Sequence, residues 1–164
     1  MSCTQAMMAL AAMLGLGGCT DATQPASTQT SLSADLGQAG ARLDTGQARA
    51  MISAYRVNAG LGVLRLDPVL QAAADREAAM MARADRPGSA DAVKRRLIAY
   101  GVKAPDANLS AGYRSLAQAF SGWRDSSPHD RVMKNPNATR MGIATALAPG
   151  SKYAVYWVLI VAPE

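Results

Sequence analysis

The chain has 164 residues, 49% of them apolar and only 5% aromatic, with a formal net charge of +5. That is enough for one domain with a real core and too little for two once the first forty residues are set aside. The two cysteines, Cys3 and Cys19, both precede the candidate domain, which therefore has neither a disulfide framework nor a Cys-based zinc site.

Residues 6–18, AMMALAAMLGLGG, form an apolar run too short to span a membrane. LGGC at 16–19 resembles a bacterial lipobox, and an apolar run with a small-residue exit is the general form of an export signal. Residues 1–18 contain no Lys or Arg, a departure from the usual basic start of such a signal. The expected division is a lipoprotein-type signal peptide over 1–18, a flexible tether over 19–41 and one domain over 42–164. Cys19 is the expected lipidation site. The tether reading rests on Thr, Ser, Ala and Gln without apolar periodicity.

Residues 1–41 carry only Asp21 and Asp35, leaving ten acids against all 17 Lys and Arg, a net +7, on the domain. Such a surface favours anionic partners such as an envelope surface. Nucleic acid is not expected, because no basic stretch is interleaved with stacking aromatics.

Along the domain, Ala48, Met51, Ile52 and Tyr55 fall at helical spacing in 44–60, with Asp44 or Thr45 as cap and Gly60 as stop. LGVLRLD (61–67) reads as a short extended link. Asp67 as N-cap and Pro68 at the first helical position open a helix over 67–84. Its inward face holds Leu70, Ala73, Ala74, Glu77 and Met81, so Glu77 needs a partner or an opening to water. RPGS (86–89) breaks the chain before a third helix over 89–101, with Val93, Leu97 and Tyr100 inward. Residues 102–113 read as loop. A fourth helix over 115–123 places Leu116, Ala119, Phe120 and Trp123 on one side, and SSPHDRVM (126–133) is a turn into a short helical piece. MGIATALA (141–148) and YAVYWVLIVA (153–162), joined by PGSK, read as an antiparallel hairpin. The second strand is apolar on both faces and needs cover on each side. The expected class is α/β: a three-layer α-β-α sandwich with a small antiparallel sheet between helices.

In their order, AYRVNAGLGVLRLDPVLQAAA, ANLSAGY, Trp123 with Ser126 and His129, MGIA and the terminal YWVLIV resemble bacterial members of the CAP superfamily (cysteine-rich secretory proteins, antigen 5, pathogenesis-related 1; SCP-like). The likeness covers about residues 44–162 and implies an α-β-α sandwich in an exported protein. It also implies a central cavity lined by two His and two acids, which holds a divalent metal in several members. His129, thirteen residues before the Gly142 of a GIA resembling the family's GVG, matches one ligand. Ala107 stands where the family has Glu, followed by the retained Asn108 and Leu109, and Ser126 stands at the second acid. The loop RADRPGS, where the other His belongs, has none. The candidate cavity group is therefore His129, Ser126, Glu77, Asn108 and Trp123, with His129 the one matched metal ligand.

One imidazole does not hold zinc at useful affinity, so no cofactor is expected, with zinc the only candidate. For His129 two readings stand: a remnant ligand or general base, or a neutral imidazole shaping the turn after Pro128. A catalytic triad would need Ser126 or Ser127 and an acid such as Asp125 or Asp130 around it, or Glu77 as partner carboxylate. The expected function is a non-enzymatic binding or scaffolding module of the cell envelope, lipid-anchored at Cys19 on the periplasmic or cell-surface side. A lipid or small apolar ligand binder and a hydrolase or peptidase using His129 are the alternatives.

Overall fold

The computed structural model describes residues 32–164. Helix α1 (Thr45–Asn58) is capped by Asp44, whose side chain accepts from the Gln47 amide at 2.9 Å. Helix α2 (Pro68–Ala84) follows the two-residue strand β1 (Arg65–Leu66), and Asp67 accepts from the Val69 and Leu70 amides, satisfying two of the orphan donors at the helix start. Helix α3 (Ala90–Ala99) is capped by Ser89. Strand β2 (Asp106–Ala111), helices α4 (Leu116–Arg124) and α5 (Ser127–Met133), and strands β3 (Arg140–Leu147) and β4 (Val155–Ala162) complete the chain.

The four strands are ordered β1-β3-β4-β2. The expected hairpin is present: β3 and β4 pair antiparallel from Arg140↔Ala162 to Leu147↔Val155. β2 pairs antiparallel with the other side of β4, and β1 pairs parallel with β3. The sheet is thus mixed at one edge: the long connection 67–139, which begins with α2 and ends after α5, returns the chain so that β3 runs in the same direction as β1.

All eight β4 residues are buried, and their alternation builds the layers. Val155, Trp157, Leu159 and Val161 join a core with Ile52 of α1, Leu116, Ala119 and Trp123 of α4, and Val132 and Met133 of α5. Tyr156, Val158, Ile160 and Ala162 join an opposite core with Leu70, Ala74, Ala78 and Met81 of α2 and Val93 and Leu97 of α3. A strand sends successive side chains to opposite faces, so a two-faced apolar strand can be stable only between two helical layers. The three-layer α-β-α architecture is present.

Three local expectations change. Residues 106–111 are strand rather than loop. Tyr100 is 79% exposed rather than inward, because α3 ends at Ala99 and Gly101 turns the chain at φ +83°. The tether reading fails at its end: Leu36 is buried in the first core, its amide donates to the Arg114 carbonyl at 2.7 Å, and Asp35 pairs with Arg114. The arginine holds the Asp35 carboxyl down at about 2. Residues 1–31, with the signal segment, Cys19 and most of the tether, lie outside the described residues. Arg56, in the last turn of α1, is fully buried, a feature its place in the sequence does not announce.

Candidate functional site

The two helical layers leave a groove of about 530 Å³ along the side of β2 that does not face β4. One wall is Gly88, Ala90 and Lys94 from α3 and the turn before it, and the other is Pro128, His129 and Arg131 from α5. Asp106, Ala107, Asn108 and Leu109 of β2 lie between them. Asn108 is only 1% exposed. Its Nδ2 donates to the His129 backbone carbonyl at 2.9 Å, which fixes α5 against the strand. Two buried polar atoms of this group, Asn108 Oδ1 and His129 Nδ1, have no hydrogen-bond partner. Buried acceptors and ring nitrogens are normally satisfied, so the pair marks a place built for a polar group.

His129 is half-buried in the first turn of α5, and burial lowers its pKa below the ordinary 6.5. The unfolded chain therefore binds more protons than the folded one as pH falls through 6.5. Stability is complete above that value and is lost as pH drops through the lower folded value. Urea midpoints of wild type and His129→Gln, compared at about pH 7.5 and about pH 5.5, check this. The wild type is expected to lose more on acidification than the variant; equal losses would contradict a buried imidazole.

The candidate residues do not share one cavity. His129 and Asn108 meet in the groove, with Ala107 beside them. Ser126 is the N-cap of α5; its carbonyl accepts from the Asp130 amide, its hydroxyl makes no capping bond, and it does not line the groove. Trp123 is fully buried in the first core, where its Nε1–H donates to Ser110 Oγ at 3.0 Å and its ring meets Trp157 edge-on at 6.0 Å. Glu77 is buried midway along α2, paired with Arg96 of α3, and lines a neighbouring groove of about 390 Å³. Gly88 stands between the two grooves and lines both; a Cβ there would lie 2.6 Å from Glu77 Oε1 and 2.9 Å from Leu109 Cδ2.

Nor do acids gather at His129. Asp130, next in sequence, accepts instead from Tyr55 Oη at 2.7 Å and Lys134 Nζ at 2.9 Å. Asp106 lines the groove but lies 3.9 Å from Lys94 Nζ. Among the described residues, no three His, Cys, Asp or Glu side chains stand together as a metal-ligand group. Lys94, Arg131 and Asp106 were not singled out from the sequence as site residues. With β2 taken as loop, nothing linked them, and the only signal was KRR at 94–96 on a helix.

A family model described as the cysteine-rich secretory protein family, CAP, matches residues 49–161. Among solved structures, an extracellular protein containing an SCP domain from Bacillus anthracis superposes with a TM-score of 0.61 at 17% identity, over 73% of this chain and 40% of that one. A cysteine-rich secretory protein from Staphylococcus aureus gives 0.59 at 18% identity, over 71% of this chain and 37% of that one. An outer surface protein from Borrelia burgdorferi gives 0.63 at 15% identity, over 76% of this chain and 98% of that one. The chain thus spans less than half the length of the first two. At these identities the likeness establishes the fold alone. A search of curated proteins by sequence returns no match.

Proposed function

The chain belongs to the cysteine-rich secretory protein (CAP) family, and on that premise we propose that it is an exported, lipid-anchored binding module of the cell envelope, without catalytic activity. The observation that carries the reading is the groove beside β2, which keeps two unsatisfied buried polar atoms without the groups that metal or triad chemistry needs. A zinc site takes three or four converging protein ligands. Here the donors are one imidazole and one carboxylate already beside an ammonium, with Ala107 where the family resemblance implies an acid. The donor set does not fit the metal. For nucleophilic catalysis the base must be hydrogen-bonded to the nucleophile and oriented by a third group. His129 Nδ1 has no partner, and Asp130 is held by Tyr55 and Lys134.

Export is supported by the words describing two structural neighbours, an extracellular protein and an outer surface protein. Anchoring rests on LGGC at 16–19. Membrane fractions of a bacterial host expressing the full chain are expected to contain the acylated protein, and Cys19→Ser to release it to the soluble fraction. Unchanged membrane association of Cys19→Ser would overturn the anchor.

A further inference from the structure

The free side of β2 has a regular hydrogen-bonding pattern of its own. The Gly112 amide donates to the Val155 carbonyl at 2.9 Å, and the Ala148 amide to the Ala154 carbonyl at 2.7 Å. Odd residues of β4 therefore bond to β2 and even ones to β3. By the alternation of an antiparallel ladder, Asp106, Asn108 and Ser110 exchange bonds with β4, while Ala107, Leu109 and Ala111 turn their N–H and C=O groups away from it. The Ala107 amide is taken by the Asp106 carboxylate at 3.0 Å, as an outward amide can be. Among the described residues, the backbone groups of Leu109 and Ala111 on this side have no partner in a further strand.

An unpaired edge is a template for another strand unless it is covered, twisted away or blocked by charge. Here residues 106–109 of the edge are the floor of the groove between the α3 and α5 walls, and Ala111 continues the same edge beyond it. The orphaned Asn108 Oδ1 and His129 Nδ1 accompany it. An imidazole nitrogen and an amide oxygen together complement a group that both donates and accepts, as a peptide unit does. The lining contains no Trp, Tyr or Phe on which a sugar ring would stack. Arg131 lines one wall and has no acidic partner among the described residues.

From this edge, the orphaned pair and the unpaired cation, we infer that the groove binds an extended polypeptide segment as an added strand on β2, with an acidic side chain directed to Arg131. The inference rests on the binding-module reading and names the class of partner. Main-chain bonds to Leu109 and Ala111 supply affinity, and the walls select side chains. The outward residues 107 to 111 span about 13 Å, room for a segment of about five residues.

The test selects binders to the full chain from random decapeptides displayed on phage, then measures synthetic copies by calorimetry. Binding is expected to fall at least tenfold when alternate amides of the peptide are N-methylated, and to be unaffected by methylation of the intervening ones. Amide signals of Leu109 and Ala111 are expected to shift and slow their hydrogen exchange when peptide is added. Leu109→Pro removes one outward donor while sparing the ladder to β4, and is expected to abolish binding. Arg131→Glu, a surface change, is expected to weaken acidic peptides at least tenfold. No enriched peptide, loss that does not alternate along the peptide, or shifts elsewhere in the protein would overturn the inference. So would a concentration-dependent dimer that Leu109→Pro dissolves, which would make a second copy of the chain the occupant. None of these outcomes touches the binding-module reading, which falls instead on catalytic turnover lost in His129→Ala.

Discussion

Arg56→Ala is expected to destabilise the domain by about 4 kcal/mol or more, a large share of the 5–15 kcal/mol by which domains of this size are stable. Arg56 is fully buried and has no carboxylate partner; its charge is met by four backbone carbonyls. Nε donates to Gly62 at 2.8 Å, one terminal nitrogen to Met133 and Asn135 at 2.8 Å each, and the other to Ala138 at 2.9 Å. These carbonyls belong to the segment after α1 and to the turn from α5 into β3, which no regular ladder satisfies. Bonds to an ionised donor contribute about 1.5–3 kcal/mol each, and a buried carbonyl left unpaired costs about 1–3 kcal/mol. These are not additive, but truncation loses the donors and leaves the Gly62, Met133 and Ala138 carbonyls unpaired, while Asn135 keeps only its turn bond from the Ala138 amide at 3.2 Å. Arg56→Lys keeps the charge on a single point and cannot reproduce the planar fork. Equilibrium urea unfolding is expected to place it between wild type and Arg56→Ala. A loss below about 1 kcal/mol for Arg56→Ala would contradict the caging role.

The second large effect is expected at Gly142. Helix α2 approaches strand β3 so closely that a Cβ on Gly142 would run into the Leu70 carbonyl and the Gln71 amide. Both obstacles are backbone, so no rotamer change relieves the clash; either the helix or the strand must move. Overpacking of a tight core typically costs 1–3 kcal/mol, and a backbone clash belongs at or above the top of that range. Gly142→Ala is expected to cost about 3 kcal/mol. Gly62→Ala is the control, because nothing lies within 4 Å of its Cβ position; it is expected to change stability by no more than about 0.5 kcal/mol. Similar urea midpoints for the two variants would contradict the close approach. Movement of α2 would also shift the pairing of Glu77 with Arg96, linking this packing contact to the neighbouring groove.

Which parts were legible from sequence follows from where the information lies. Helices α1 to α4 were legible because local caps announce them: Asp44, Asp67, Ser89 and Ser115 each accept an amide in the first turn. β4 was legible because an uninterrupted apolar strand demands cover on both faces. β2 was not: DANLSA alternates polar and apolar residues, but two of its three apolar residues are Ala and none is β-branched or aromatic, so its strand propensity is weak and its ladder is supplied by β4. Arg56 was not, because a cation at the end of an apolar helical stripe reads as the polar boundary; the carbonyls that cage it are six to 82 residues away in sequence. Gly142 was visible only as part of the GIA resemblance, and its role in the approach of α2 appears only in three dimensions. The groove illustrates the same limit. His129 stood out as the only histidine, but its surroundings come from α3 and β2, and their meeting depends on a strand the sequence hides.

The central claim is that this CAP domain keeps the fold and a polar groove while its residues no longer form a metal centre. Calorimetric titration of the full chain with zinc at neutral pH, alongside His129→Ala, tests it most directly. No stoichiometric binding at micromolar zinc is expected, with indistinguishable traces for the two proteins. A one-to-one micromolar site in the wild type that disappears in His129→Ala would contradict it.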